Sequence, residues 1–70
     1  MIILVYINDG FLCSVYVATK ENVVDVVRKE FKDEIAFGEF PKDWEEMAKD
    51  LEYIETNSGW IKGIIHFVEV

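Results

Sequence analysis

The chain contains one cysteine, Cys13, and one histidine, His66, and these two residue types together can do nucleophilic chemistry. An imidazole beside a thiol accepts its proton and leaves a reactive thiolate. Both residues lie in apolar, strand-like segments, so they would form a dyad only if those two strands pair. No third residue is placed to orient the histidine. We therefore expect Cys13 to be a small buried residue, His66 a packed or half-exposed strand residue, and the chain not to be an enzyme.

Sequence motifs for metals, phosphates and dinucleotides are absent. There is no CxxC, no HExxH, no Gly-rich phosphate loop and no dinucleotide fingerprint. The neighbouring acids Glu45 and Glu46 would point in different directions on a helix, and Asn8-Asp9-Gly10 fits a turn better than a calcium loop. The sequence predicts no catalytic residues, no cofactor and no metal site.

The acidic residues are unevenly distributed along the chain. Residues 30–55 contain ten acids and three lysines, which accounts for the whole net charge of −7. Asp43, Glu46 and Asp50 are spaced at i, i+3 and i+7, so a helix there would carry an acidic ridge. The simplest interpretation of such a ridge is a solvated surface that keeps an apolar protein in solution.

The same ridge could also bind a protein, because carboxylates can take the place of phosphates in a cleft lined with Lys and Arg. A negative domain is not expected to bind nucleic acid directly. The predicted partner is therefore a basic protein, such as a nuclease or another nucleic-acid-binding protein. The candidate protein-binding residues are Glu39, Phe40, Asp43, Glu45, Glu46, Asp50 and Glu52.

In its size, acidity and compact mixed composition, the chain resembles phage-encoded inhibitors of host defence nucleases, some of which mimic DNA. The resemblance covers no sequence motif and assigns no residue a role. It implies a stoichiometric inhibitor of a host protein.

The elements that would position these acids begin with a hairpin. Ile2–Ile7 is a continuous β-branched run, which predicts a central strand covered on both faces. Asp9-Gly10 suits a type I′ turn, since both turn positions need a positive φ. Residues 11–18 then return as a second strand, with Phe11, Cys13, Val15 and Val17 on one face and Leu12, Ser14, Tyr16 and Ala18 on the other.

Two helices are predicted next. Thr19 or Asn22 would cap the first, whose apolar residues are Val23, Val24, Val27 and Phe31. Asp25 and Lys29 would pair on its polar side, although the four valines leave a strand as an alternative.

After a connection over residues 35–40, the second helix would begin near Pro41. Asp43 and Glu46 would form a capping box, and Glu45 would pair with Lys49. Its apolar residues are Trp44, Met47, Ala48 and Leu51.

A second hairpin would close the chain. It would consist of a strand over 53–56, a turn at Asn57-Ser58-Gly59, and a last strand over 60–70 with a bulge at Gly63. The predicted fold is one α+β domain over residues 1–70. It has a four-stranded, mainly antiparallel sheet with two helices on one face, in the order ββααββ.

The helices can cover only one face of this sheet, yet both faces carry large apolar residues. Either the second helix or a loop wraps around, or the second face meets another molecule. The alternative function is therefore a homo-oligomeric structural or accessory protein, with a homodimer as the simplest case, that associates through the apolar sheet face or along an edge strand. A small-ligand pocket is the third hypothesis, with the candidate lining residues Tyr6, Tyr16, Trp44, Tyr53 and Trp60.

The expected location is the cytoplasm. The apolar start of the chain lacks the basic flank of a secretory signal, and no apolar run approaches the length of a membrane helix. A single cysteine cannot form an internal disulfide, which fits a reducing compartment.

Overall fold

Two β-hairpins pair to form a four-stranded sheet, and three short helices connect them. The computed structural model describes residues 1–70. Its elements are β1 (Ile2–Asn8), β2 (Phe11–Ala18), α1 (Val23–Glu30), α2 (Lys32–Ala36), α3 (Trp44–Lys49), β3 (Ile54–Ser58) and β4 (Ile61–Glu69). The strand order is β2-β1-β4-β3, and all neighbouring strands are antiparallel. The predicted α+β class and its two hairpins are confirmed, and α2 is an additional helix that begins before the predicted connection over residues 35–40 and overlaps only its start.

The first hairpin forms as the sequence predicts. Asp9 has a φ of 53° and Gly10 a φ of 82°, which is the pair of positive values that a type I′ turn requires. The β-branched β1 pairs with β2 on one side and with β4 on the other, so it is a central strand. None of the three helices has the length and hydropathy needed to span a bilayer.

A bulge in this hairpin overturns two predictions about β2. Tyr6 pairs with Ser14 but Ile7 pairs with Leu12, which leaves Cys13 as the extra residue. The extra residue reverses the alternation of faces beyond it, so Leu12 shares a face with Val15 and not with Ser14. Cys13 is exposed on an edge strand and was wrongly predicted to be buried.

The first helix, α1, buries Val23 and Val27 against the sheet, so the strand alternative is wrong. Before it, the Thr19 N–H donates to Asn22 Oδ1 over 2.7 Å and the Asn22 N–H donates to Thr19 Oγ1 over 3.2 Å. This reciprocal pair closes the turn between β2 and α1, although the Asn22 side chain does not cap the helix.

The predicted ion pairs on the helices are replaced by others. Asp25 pairs with Arg28 over 3.0 Å and not with Lys29, because i, i+3 residues also lie on one helix face. Glu45 pairs with Arg28 across the helix layer, at 3.3 Å, and not with Lys49. At the start of α3 the Asp43 side chain makes no capping hydrogen bond, so the predicted capping box is not formed.

In the second hairpin, Gly63 has a different role from the one predicted. The register between β3 and β4 is continuous, so there is no bulge at Gly63. A Cβ atom at Gly63 would lie 2.5 Å from Thr56 Oγ1 and 2.8 Å from Tyr6 Cε1. A glycine is therefore needed because the Tyr6 ring and Thr56 pack directly onto its backbone. The chain reverses at Gly59, whose φ is 62°.

One core lies between the helices and one face of the sheet. Phe31, at the end of α1, is at its centre: its ring meets Tyr6 and Tyr16 edge-on at centroid distances of 5.0 and 5.6 Å and lies 5.7 Å from Phe40. The other buried apolar residues are Ile2, Leu4, Ala18, Val23, Val27, Trp44, Ala48, Ile54 and Ile65.

The opposite face of the sheet has no covering layer. Burial alternates along β1, with Ile2, Leu4 and Tyr6 buried and the residues between them only half-buried. The prediction that β1 is covered on both faces is therefore wrong. All three helices contribute to the core on one side, so neither a helix nor a loop wraps around the sheet.

Candidate protein-binding groove and acidic surface

The third helix carries the acidic ridge that the sequence predicts. Trp44 and Ala48 are the only buried residues of α3, and the acids Asp43, Glu46 and Asp50 are exposed to solvent.

 Trp44 is also in edge-on contact with Phe40, at a centroid distance of 5.9 Å, which anchors the start of the helix in the core. The first residue of the helix that carries the ridge is therefore packed in the core.

Arg28 is the one base that forms an ion pair with a residue of α3. Its guanidinium lies 3.3 Å from a Glu45 carboxylate oxygen and 3.0 Å from Asp25 Oδ1. It also lies 5.6 Å from the centre of the Trp44 ring, within range of a cation–π contact. Arg28 thus connects α1 to α3 and neutralises Glu45, so Glu45 belongs to the helix–helix contact more than to the acidic ridge.

The other acids of residues 30–55 form no ion pair within the chain. Of the ten, only Glu45 forms an ion pair, although Lys32, Lys42 and Lys49 lie in the same stretch. None of these lysines forms an ion pair, so the carboxylates give this side of the molecule a negative potential.

The predicted residue Phe40 lies in the core. It is 91% buried between Phe31 and Trp44, with an exposed fraction of only 9%. A partner could reach only the small part of its surface that lines the neighbouring groove. Phe40 therefore positions the chain before α3 and offers little contact area of its own.

A groove of about 890 Å³ lies between the chain before α3, the chain after α3, and the edge of β3. Its apolar lining comes from Phe40, Pro41, Met47, Leu51 and Tyr53. The acidic residues that line the groove are Glu39, Glu52 and Glu55, and its one basic residue is Lys62. The predicted residues Glu39 and Glu52 thus meet at one groove, whereas Asp43, Glu46 and Asp50 are not among its lining residues.

Two helix ends of the same type bring Glu39 and Glu52 to the groove. After α2, the Glu39 N–H donates to the Glu34 carbonyl and the Gly38 N–H to the Ile35 carbonyl. This is a Schellman motif, with Gly38 at a φ of 75° in the left-handed position. The residue that follows that position turns back across the helix end, and in this motif it is Glu39.

The end of α3 repeats this motif with a leucine. The Glu52 N–H donates to the Met47 carbonyl over 2.8 Å, and the Leu51 N–H donates to the Ala48 carbonyl over 3.1 Å. Leu51 has a φ of 58°, which costs an L-residue with a side chain about 1–2 kcal/mol. Its half-buried side chain packs against the core, which offsets this strain.

The edge of β3 forms one wall of the groove. The Asn57 N–H donates to the Glu39 carbonyl over 2.9 Å, so it points away from β4. Because the direction of backbone groups alternates along a strand, the N–H and C=O of Glu55 point the same way. Neither of them has a partner outside the sheet, and they are open to a further strand.

Sequence reasoning missed Glu55 and Leu51 as groove residues, and Arg28 as a neutralising base. The Gly38 helix stop was visible in the sequence, but nothing in Asp50-Leu51-Glu52 signals a left-handed leucine. The pairing of Arg28 with Glu45 joins two helices that are far apart in the chain, so no rule based on local residue spacing predicts it.

The other candidate sites do not assemble. Cys13 is on β2 and His66 on β4, and β1 lies between these strands, so the pairing required for a dyad is absent. No three His, Cys, Asp or Glu side chains converge where they could hold a metal ion. Of the candidate pocket aromatics, Tyr6 and Trp44 are buried and Trp60 is fully exposed at the second hairpin turn, so they line no common pocket.

One exposed ion pair lies away from the groove. Lys20 Nζ lies 2.7 Å from Glu69 Oε2. This hydrogen bond and the opposite charge raise the pKa of Lys20 above 10.5 and lower the pKa of Glu69 below 4.5. Both side chains are exposed, and the pair joins the end of β4 to the turn before α1.

Comparison of the chain with protein-family models, with curated proteins and with solved structures found no match.

Proposed function

We propose that this chain is a non-catalytic protein-binding module that inhibits a basic, nucleic-acid-binding protein of the host. The observation that supports this proposal is the combination of unpaired carboxylates with a groove at an open strand edge. Glu39, Glu52 and Glu55 surround the groove, and Asp43, Glu46 and Asp50 extend the negative surface along α3.

The charge pattern favours a protein partner with a basic surface. Carboxylates without a salt bridge attract Lys and Arg from a distance and steer association, and this attraction falls with ionic strength. A surface that binds nucleic acid already presents such bases to phosphates. A protein with net charge −7 can compete for these bases and would itself be repelled by nucleic acid.

The groove favours an extended segment of that partner. The free backbone groups of Glu55 can pair with an added strand, and side chains of this strand would alternate between the apolar lining and solvent. An extended segment with a base at every second residue could form backbone hydrogen bonds with the strand edge and ion pairs with the surrounding carboxylates. We place the chain and its partner in the cytoplasm, because the exposed thiol of Cys13 would stay reduced there.

A charge-reversal experiment tests this binding mode. The probe is a short fluorescent peptide in which arginines alternate with threonines, titrated with the protein and followed by anisotropy. The double variant Glu39→Lys, Glu52→Lys should weaken binding about tenfold, because two attractions become repulsions. Added salt should weaken binding to the unmodified protein.

The matched control reverses two exposed acids outside the groove, Glu30→Lys and Asp33→Lys, and therefore changes the net charge by the same amount. The control should retain most of the affinity. Equal losses in both variants would show that the peptide senses only the overall charge, and the groove would then have no special role.

Inhibition is tested separately with basic host nucleases and a labelled DNA duplex. Stoichiometric addition of the protein should slow cleavage, and the Asp43→Lys, Glu46→Lys, Asp50→Lys variant should not. Unchanged cleavage across the nucleases, despite peptide binding, would leave a binding module and remove the inhibitor function.

A further inference from the structure

On the face of the sheet opposite the helices, three of the four strands form a continuous patch without charged residues. The strand registers place one set of residues together there: Ile3, Val5 and Ile7 from β1, Leu12, Val15 and Val17 from β2, and Ile64, His66 and Val68 from β4. We call these nine residues the open face. None of them is Lys, Arg, Asp or Glu, whereas the wet face of an antiparallel sheet normally alternates to polar residues.

We propose that two copies of this chain pack their open faces against each other as a symmetric two-sheet dimer. The residues of the open face are accessible in the single chain: Leu12 is 65% exposed, Val17 is 60% exposed and Val15 is 52% exposed. A surface of this composition in water is unfavourable, and a second apolar sheet packed about 10 Å away would remove it from solvent.

The area of the open face is sufficient for such a dimer. With the adjoining ring of Tyr53, these exposures correspond to roughly 600–700 Å² per chain, more than the largest apolar patch of a typical monomer. Two copies would bury about 1,300 Å² together, which is within the range of stable interfaces. A self-complementary apolar patch around a two-fold axis is the commonest way in which identical chains associate.

The distribution of charge selects a second copy over an acidic or basic partner. The acids responsible for the net charge of −7 lie in residues 30–55, nearly all in the helical layer on the other side of the sheet. Face-to-face packing directs these charges outward and away from each other, so their repulsion is screened. Only Glu55 and Lys62, which have opposite signs, lie at the rim of the open face.

The strand edges are less suited to self-association than the face. The bulge at Cys13 interrupts the outer edge of β2, and the Glu39 carbonyl occupies part of the edge of β3. Tyr53, Glu55 and Lys62 border both the open face and the groove beside β3, so the dimer interface would adjoin the groove on one side.

Sedimentation velocity and light scattering over a concentration series test the dimer with the full chain. The expected result is a shift from 8.2 kDa to twice that mass with rising concentration. Val17→Lys and Val68→Lys place a charge at exposed positions on two different strands of the open face, and each should raise the dimer dissociation constant at least 30-fold. Phe37→Lys is the matched control, since Phe37 is 77% exposed in the helical region and should leave the dimer intact.

Circular dichroism and thermal melting at low concentration show whether each variant folds. A chain that stays monomeric at millimolar concentration overturns the proposal. So does a dimer that Val17→Lys disrupts and Val68→Lys does not, because this result indicates pairing along the β2 edge. A dimer that Phe37→Lys disrupts would place the interface on the helical side and would also overturn it.

Discussion

The two faces of the sheet are built from similar residues but have different structural roles. On the covered face, Leu4 and Ile65 are fully buried beneath the helices. On the open face, Val15 and Val17 are equally apolar and more than half exposed. The sequence therefore specifies a sheet with two apolar faces, and the position of the helices decides which face becomes the core. Composition alone therefore does not distinguish a core face from an exposed face.

The largest expected difference between the two faces is in stability. Phe31→Ala should lower the free energy of unfolding by about 3–5 kcal/mol, because it removes the ring that contacts Tyr6, Tyr16 and Phe40. Val15→Ala, on the open face, should change it by less than about 0.5 kcal/mol at concentrations where the chain is monomeric. Urea denaturation of both variants measures this comparison. Similar losses would mean that the open face is already packed within one chain.

The second prediction concerns close packing on the covered face. Gly63→Ala should destabilise the protein by about 1–3 kcal/mol, because the new methyl group overlaps Thr56 Oγ1 and the Tyr6 ring. Thr56→Ala in the same chain should recover part of that loss, since it removes the closest atom. Thermal melting of the two single variants and the double variant gives the coupling. Strict additivity would contradict the contact.

The third prediction concerns the left-handed leucine at the groove. Leu51→Ala and Leu51→Gly both lose the half-buried side chain, but only glycine relieves the backbone strain at a φ of 58°. The glycine variant should therefore be more stable than the alanine variant by about 1 kcal/mol, the reverse of the usual order near a helix. Chemical denaturation measures the difference. If alanine is the more stable variant, the Schellman motif at α3 is not formed.

The smallest effect is expected at the exposed pair of Lys20 and Glu69. The lowered pKa of Glu69 means that its contribution to stability is present above 4.5 and is lost as the pH falls through the lowered value. The raised pKa of Lys20 means that its contribution is present below 10.5 and is lost as the pH rises through the raised value. The melting temperatures of the protein and of Glu69→Gln should differ slightly near neutral pH and converge in acid.

Added salt should reduce that small difference, because both side chains are exposed. Lys20→Gln is the matched variant and should show the same convergence in alkali. A difference that persists in strong acid would assign the effect of Glu69→Gln to something other than this pair.

Local sequence was sufficient for most of the fold. The β-branched run of β1, the Asp9-Gly10 turn and the apolar spacing of Trp44, Met47 and Ala48 each act over a few residues, and each predicted element is present. These signals are reliable because turn chemistry and periodicity depend on neighbours in the chain. The concentration of acids in residues 30–55 is likewise a property of the sequence alone.

Tertiary structure decided the features that depend on distant residues. The bulge exposes Cys13, Arg28 neutralises Glu45 from another helix, and Gly63 is required by a ring on a neighbouring strand. The groove exists because two helix ends direct Glu39 and Glu52 toward the same strand edge. Such contacts follow from how the elements pack in space, and residues far apart in the chain carry no local signal of that packing.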